Sequence, residues 1–282
     1  MTTQATSGAR ETSPASATSP SLSMGRVALT VNDLDRVADF YERAVGLHRL
    51  RRDGETAQLG AGDAVLLELR RDASARRRSP REAGLFHTAF LLPARADLGR
   101  WLMHAAQERV PLVGASDHAV SEALYLTDPE GNGIEIYADR PRDAWLWRDG
   151  QVHMSTEALD LPALAASAGQ GRWAGFPEGA RVGHVHLQVG AIGPAEEFYA
   201  GTLGFDITCR YPGGSFFAAD GYHHHLATNI WNSRGAGPRS YPSTGLAEVE
   251  IRRRTPAMPP RTELADPWGT AIALVGEAVT SG

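Results

Sequence analysis

The sequence predicts an α+β fold: four βαβββ modules that pair into two cup-shaped half-barrels, with the fourth module truncated. Strand-like runs of period two alternate with single amphipathic helices. The pattern Val31…Phe40-Tyr41…Val45-Gly46-Leu47 returns 158 residues later as Val189…Phe198-Tyr199…Leu203-Gly204-Phe205. Asp128-Pro129-x-Gly131 returns 138 residues later as Asp266-Pro267-x-Gly269. Self-similarity at a fixed offset marks a repeated structural unit. One such unit is half a barrel with an open face, and two units facing each other enclose a cup that can hold a ligand or metal.

In the first unit, Gly25 to Val31 alternates as a strand does. Asp33 reads as the N-cap of a helix through Val45, with Leu34, Val37, Phe40 and Tyr41 on one face and Gly46 as its stop. Runs at His48–Arg52, Thr56–Leu59 and Ala64–Leu69 complete it. The second unit opens with strand Leu85–Leu92. Its helix runs from Ala96 to Arg109, with Leu98, Trp101, Leu102 and Ala105 inward, and Pro111 and Gly114 end it. Modules one and two span residues 24–139. Residues 140–181 form a Pro/Trp-rich connecting segment with a short helical piece, Leu161 to Ala168, expected to wrap across both halves. Modules three and four span 182–282. Between Ile251 and Asp266 there is room for a loop, Thr255 to Glu263, but not for the helix of the sibling units.

The 282 residues suffice for two ordinary domains, and 42% hydrophobic with 22% charged residues is globular. A net charge of −5 suggests no nucleic-acid surface. The run Arg76-Arg77-Arg78, beside Ser79-Pro80, reads as a solvated loop. The single cysteine, Cys209, excludes an internal disulfide and fits a reducing, cytoplasmic compartment. Residues 1–23, rich in Ser, Thr, Ala and Pro, read as a disordered tail and not a signal peptide. No window reaches the ~18 apolar residues of a membrane helix.

The most informative stretch runs from Leu124 to Tyr137. A short apolar strand breaks at Asp128-Pro129-Glu130-Gly131, a strong turn signal. It resumes at Ile134, with Glu135 among apolar neighbours. A carboxylate facing an interior is costly unless something positive meets it; the alternative is a solvent-facing Glu on a half-exposed strand. Histidines stand at comparable places in the repeats: His87 on the first strand of unit two, His184 and His186 on that of unit three, and His223-His224-His225 at the start of the last strand of unit three. His118 lies seven residues before Tyr125. Imidazole is the commonest protein metal ligand, and two with one carboxylate leave open positions on a divalent metal. Taken singly, a strand histidine is more often a hydrogen-bonded core residue than a ligand.

The four units and the run His118-x5-Leu124-Tyr125-x2-Asp128-Pro129-x-Gly131-x3-Glu135 resemble the vicinal oxygen chelate superfamily, and the run is similar to its extradiol ring-cleavage dioxygenase signature. Ser116 departs from it, where the pattern prefers Gly, Asn, Thr, Ile or Val. The runs from Ser116 to Tyr125 and from Ile134 to Arg142, and Gly221-Tyr222-His223-His224-His225, resemble bacterial catechol 2,3-dioxygenases. The likeness covers residues 24 to about 232. It implies that unit two supplies metal ligands His87 and Glu135, an outer hydrogen-bonding His118 and an acid–base Tyr125, and that His224 is the base-like histidine of the facing unit. The remaining ligand is the first-strand residue of that unit. Pairing in chain order places Arg26 there, and a guanidinium cannot ligate a metal. Pairing unit two with unit three places His184 there and leaves Arg26, Glu248 and Ala273 in the other cup, read as a structural ion pair in place of a metal set.

The expected activity is therefore extradiol cleavage of catechol-type diols by O₂ at Fe(II), with Mn(II) as an alternative metal, in aromatic hydrocarbon catabolism. A small aromatic diol and O₂ are the expected partners, and a homo-oligomer is compatible with the sequence. Trp231, Phe216 and Phe217 are candidates for the apolar wall. Glu68 is a lesser ligand candidate, with surface exposure as its other reading. Two rival functions share the scaffold: a glyoxalase-like or thiol-transfer enzyme using Ni, Zn or Mn, and a metal-free binding protein of the drug-sequestering type.

Overall fold

The computed structural model describes residues 21–254 and 261–277. The tail reading over 1–20 and the loop reading over 255–260 lie outside the described residues. Unit one comprises β1 (Leu22–Val31), α1 (Leu34–Phe40), β2 (His48–Asp53), β3 (Thr56–Ala61) and β4 (Ala64–Arg71). β1 thus begins inside the expected tail: Leu22 is buried and pairs with Arg253, so the apolar pattern starts earlier than Gly25. Asp33 caps α1 by accepting a hydrogen bond from the Arg36 amide at 3.1 Å. The helix continues as a wider turn, Tyr41–Val45, and stops at Gly46, whose φ of +100° suits glycine.

Unit two comprises β5 (Gly84–Leu91), α2 (Arg95–Gln107), β6 (Gly114–Asp117), β7 (Ser121–Thr127) and β8 (Gly133–Asp139). α2 buries Leu98, Trp101 and Ala105, while Leu102 is half-buried. The connecting segment adds β9 (Trp147–Arg148), β10 (Gln151–Val152), β11 (Glu157–Ala158) and α3 (Leu161–Ser167). Unit three comprises β12 (Arg181–Gln188), α4 (Ile192–Glu196) extended by Glu197–Thr202, β13 (Asp206–Tyr211), β14 (Gly214–Ala218) and β15 (Leu226–Asn229). The three histidines precede β15 instead of beginning it. Unit four is β16 (Gly245–Arg254), β17 (Arg261–Ala265) and β18 (Ala271–Glu277), without a helix among the described residues.

The strands form two large curled sheets. One runs β17-β18-β16-β1-β4-β3-β2 and joins units one and four. The other runs β11-β6-β7-β8-β5-β12-β15-β14-β13 and joins units two and three. In each, the first strands of two units meet antiparallel, β1 with β16 and β5 with β12. Register shifts interrupt both junctions, and bulges of this kind bend a sheet.

The repeated motifs tie the two sheets together. Asp128 accepts from the amides of Glu130 and Asn132, and Gly131 takes a φ of +84°, which closes the Asp-Pro-x-Gly turn. Asp266 does the same for Trp268 and Thr270. The Tyr199 hydroxyl of unit three donates to Asp266 of unit four at 2.9 Å, and the Tyr41 phenol of unit one faces Asp128 of unit two. Each Phe-Tyr motif thus meets an Asp-Pro-x-Gly motif of the opposite sheet. Glu130 adds a link, accepting from the backbone amides of Asn32 and Asp33.

In the unit one/four cup, Arg26 reaches Glu68 and Glu248, each at 3.2 Å, and pairs with Glu250. The expected ion pair is therefore a cluster: Arg26 meets three carboxylates, and Arg70, Arg252 and Arg261 also pair with Glu68, Glu250 and Glu248 respectively. Glu68 is buried in it, which overturns its reading as surface-exposed. Arg26 reaches all three acids from within the cup, while each acid also has an arginine nearer the rim. Arg26→Ala is expected to lower unfolding free energy at neutral pH by about 1–3 kcal/mol, since each acid loses one bond but keeps another arginine. Urea denaturation checks this, and a loss under ~0.5 kcal/mol would refute the role.

The Arg76–Arg78 run is not uniformly solvated. Arg78 turns inward to bond the carbonyls of Glu82 and Leu85 and the Gln188 side chain, where the two sheets meet. The connecting segment touches both halves: α3 packs on α2 of the first, and β10 lies against β13 of the second, where the Arg210 amide donates to Gln151. No helix among the described residues is long and apolar enough to cross a membrane.

Candidate metal centre

Sheet register builds the site. Tyr125 on β7 lies opposite Glu135 on β8, Glu135 opposite Ala89 on β5, and Ala89 opposite His184 on β12. Residues in one row share a face, and His87 shares it by lying two positions before Ala89. Ala89 has only a methyl group, so the flanking carboxylate and imidazole close over it. His87, Glu135 and His184 come together, each offering one ligand atom, with all three atoms within 4.8 Å of one another. Glu135 and His184, 49 residues apart in the chain, are in contact at 3.1 Å, far inside the separation that would have excluded a shared ion.

This donor set fits a divalent cation. Both Nε2 atoms approach the same carboxylate oxygen, Oε2, His87 at 2.9 Å and His184 at 3.1 Å. The His184 contact is aligned as a hydrogen bond. The His87 contact is not, and its buried Nε2 is left without a partner. A buried nitrogen close to a carboxylate oxygen but unaligned with it has its lone pair free for a third body. Electrostatics point the same way. Burial pushes the His184 imidazole down to about 4, so it is neutral at pH 7. Burial pushes the Glu135 carboxyl up, but the two imidazoles outweigh it and hold it well below the usual carboxylate range. A buried carboxylate facing two imidazoles is a cation site in charge and in donor type.

The cluster forms the floor of a cavity of about 430 Å³. His118, Tyr125 and His224 all line it. The His118 Nδ1–H donates to the Ser155 carbonyl at 2.7 Å, which leaves Nε2 to accept from the Tyr125 hydroxyl at 2.6 Å. Burial and the nearby Glu135 charge push the Tyr125 phenol well up, so it keeps its proton. The His224 ring lies 4.0 Å from that of His184, tilted by 48°. Phe216 and Trp231 lie in the cavity wall, whereas Phe217 is fully buried in the core because alternate residues of β14 face opposite sides. Phe86, His186 and the connecting residues Met154, Ser155 and Thr156 also line the cavity. They belong to none of the motifs, and Met154–Thr156 arrive through a fold-back whose course is not written in strand periodicity.

A profile of the Glyoxalase/Bleomycin resistance protein/Dioxygenase superfamily matches residues 23–136. Catechol-2,3-dioxygenase of Bacillus subtilis (strain 168) is 43% identical over 228 residues, covering 79% of this chain and 80% of that protein. Biphenyl-2,3-diol 1,2-dioxygenase 3 of Rhodococcus globerulus is 30% identical over 108 residues, 36% of this chain and 54% of that protein. Among solved structures, glyoxalase I from Zea mays superposes with a TM-score of 0.56 at 17% identity, over 91% of this chain and 92% of that one. The cppA protein of Streptococcus pneumoniae TIGR4 does so with a TM-score of 0.53 at 10% identity, over 90% and 99%. At such identities the structural likeness is one of fold alone.

Proposed function

Because this chain belongs to the Glyoxalase/Bleomycin resistance protein/Dioxygenase superfamily, as a catechol-2,3-dioxygenase-like enzyme, we propose that it cleaves catechol-type aromatic diols with O₂ at an Fe(II) held by His87, His184 and Glu135. One observation carries the reading: two imidazole nitrogens and a carboxylate oxygen converge on the floor of an apolar-walled cavity, ringed by His118, Tyr125 and His224. When bound, Fe(II), or Mn(II) in its place, offers open positions to the diol oxygens and O₂ and lowers the pKa of a bound hydroxyl. The aromatic C–C bond beside the diol is broken, and both atoms of O₂ enter the product.

The protein's part is placement and proton handling. His224 is the base that takes a diol proton. The Ser155 carbonyl fixes His118, and His118 fixes the Tyr125 hydroxyl, so the phenol oxygen is presented to the cavity as an acceptor while its proton is held behind it. Phe86, Phe216 and Trp231 hold the ring and keep water from it. The surrounding trio favours ring cleavage over the glyoxalase and thiol-transfer readings, and the convergent donors disfavour the metal-free reading. The proposed role is cytoplasmic breakdown of aromatic compounds.

The test loads purified protein anaerobically with Fe(II), Mn(II), Ni(II) or Zn(II) and then adds catechol under air. The expected result is a coloured ring-opened product with Fe(II) or Mn(II) and none with Ni(II) or Zn(II). Stoichiometric iron with no O₂ uptake on catechol or its alkyl and aryl derivatives would end the proposal.

A further inference from the structure

Behind His224 lies a line of hydrogen bonds that the reaction described above does not use. His224 Nδ1 is 2.7 Å from His223 Nδ1, and His223 Nε2 is 2.9 Å from Asp139 Oδ1. Asp139 receives a second line: the Tyr222 hydroxyl donates to its two oxygens at 3.1 and 3.2 Å, and the Tyr137 and Tyr222 hydroxyls are 2.9 Å apart. Glu135, Tyr137 and Asp139 alternate along β8 and share one face. The strand that brings a carboxylate to the metal cluster therefore also brings a carboxylate to this network.

The direction of the line through two neutral imidazoles follows from the acceptor at its end. An ionised carboxylate only accepts. His223 must then present Nε2–H to Asp139, and a neutral imidazole with Nε2–H has a lone pair at Nδ1. Across the 2.7 Å contact to such a neutral ring, His224 is the donor, with its proton on Nδ1. Its Nε2 is left bare, and His224 lines the cavity. We propose that Asp139, acting through His223, sets the tautomer of His224 and so makes Nε2 the unprotonated nitrogen available to substrate. Asp139 and His223 are positioning residues. They act through His224, and the inference rests on the reading of His224 as the base.

The packing shows why the arrangement is rigid. His223 is completely buried, with the Tyr222 ring 4.1 Å and the Trp145 ring 5.1 Å from its own. The Arg142 guanidinium lies over both Trp145 and Tyr222. His223 is shut off from solvent, and among the described residues its ring nitrogens meet Asp139 and His224. The Tyr137 line depends on Gly183, where a Cβ would stand 1.8 Å from the Tyr137 hydroxyl oxygen. Two of these residues, Arg142 and Trp145, come from the connecting segment, which gives that segment a part in the site.

Long-range proton–nitrogen correlation spectra of the metal-free, full-length protein labelled with ¹⁵N-histidine read the tautomers directly. The expected result is His223 protonated at Nε2 and His224 at Nδ1, and in D139N a mixture of tautomers at both. In the iron-loaded enzyme D139N is expected to lower kcat for catechol about 10–100-fold, the usual cost of removing an outer partner, with KM and iron content unchanged. A His224 protonated at Nε2 in the wild-type protein, or D139N with an unaltered His224 tautomer, would overturn the inference. Should D139N not fold, the wild-type spectrum alone decides. Wild-type turnover of catechol with an equal kcat in D139N would remove the inference and leave the proposed function standing. The expected tautomers in a protein that opens no catechol would do the reverse.

Discussion

Glu135→Gln is expected to abolish iron retention and ring-opening turnover while leaving the fold intact. The amide matches the carboxylate in shape, so the row from Tyr125 to His184 keeps its packing. It removes the one carboxylate of the cluster and leaves two imidazoles with no anion to balance a cation. Breaking a buried charge pairing typically costs about 3–5 kcal/mol, and every ~1.4 kcal/mol is a factor of ten in binding. Iron affinity should therefore fall about 10²–10⁴-fold. Metal analysis after gel filtration and an aerobic catechol assay read this directly. A second readout needs no turnover: a hundredfold excess of metal over Kd stabilises a folded protein by about 2.7 kcal/mol. The melting temperature of the wild-type chain should rise with Fe(II) under anaerobic conditions, and that of E135Q should not. A variant that retains iron and activity would remove Glu135 from the ligand set.

The metal-free protein is expected to lose stability steeply as pH falls below about 6.5. Burial holds His184 near 4 and His225 near 3, and pushes His186 and His224 well down. In the unfolded chain each imidazole takes a proton near ~6.5. Between that pH and the native values the unfolded state binds more protons, so stability rises with pH through the window and falls on acidification. Each such group contributes about 1.4 kcal/mol per pH unit at full slope. Glu135, whose carboxyl is held low, adds stability that is present above about 4.5 and is lost only below it. Urea midpoints should be flat from pH 8 to 7 and drop sharply from 6.5 to 5. A midpoint unchanged from pH 7 to 5 would mean that these histidines take up protons in the fold as they do in the unfolded chain.

Periodicity and punctuation carried the scaffold. The cap at Asp33, the stop at Gly46 and the Asp-Pro-x-Gly turns are local devices, decided by φ preference and by side chains bonding nearby amides, so their outcome could be read from neighbouring residues. The same holds for Glu135 as an inward carboxylate, once its apolar neighbours and the strand period are granted. The pairing of unit two with unit three was legible by a different route: the offset of 158 residues puts His184 where Arg26 stands in unit one, and only one pairing brings all the metal-ligating types together.

What lay beyond the sequence was placement across long separations. Leu22 joins the sheet because Arg253 is there to pair with it, and Glu68 is buried because Arg26 reaches it from another strand. Arg78 leaves the surface because carbonyls at the junction of the sheets accept its protons. Nothing within a few residues of His223 indicates that Asp139 will orient it, since that contact joins the loop before β15 to the end of β8, 84 residues away. Residue types and their local spacing therefore announce the candidate metal centre and the fold. The tautomers, the buried charge clusters and the cavity wall depend on which distant side chains meet, and those meetings are set by the closing of two curled sheets around a shared core.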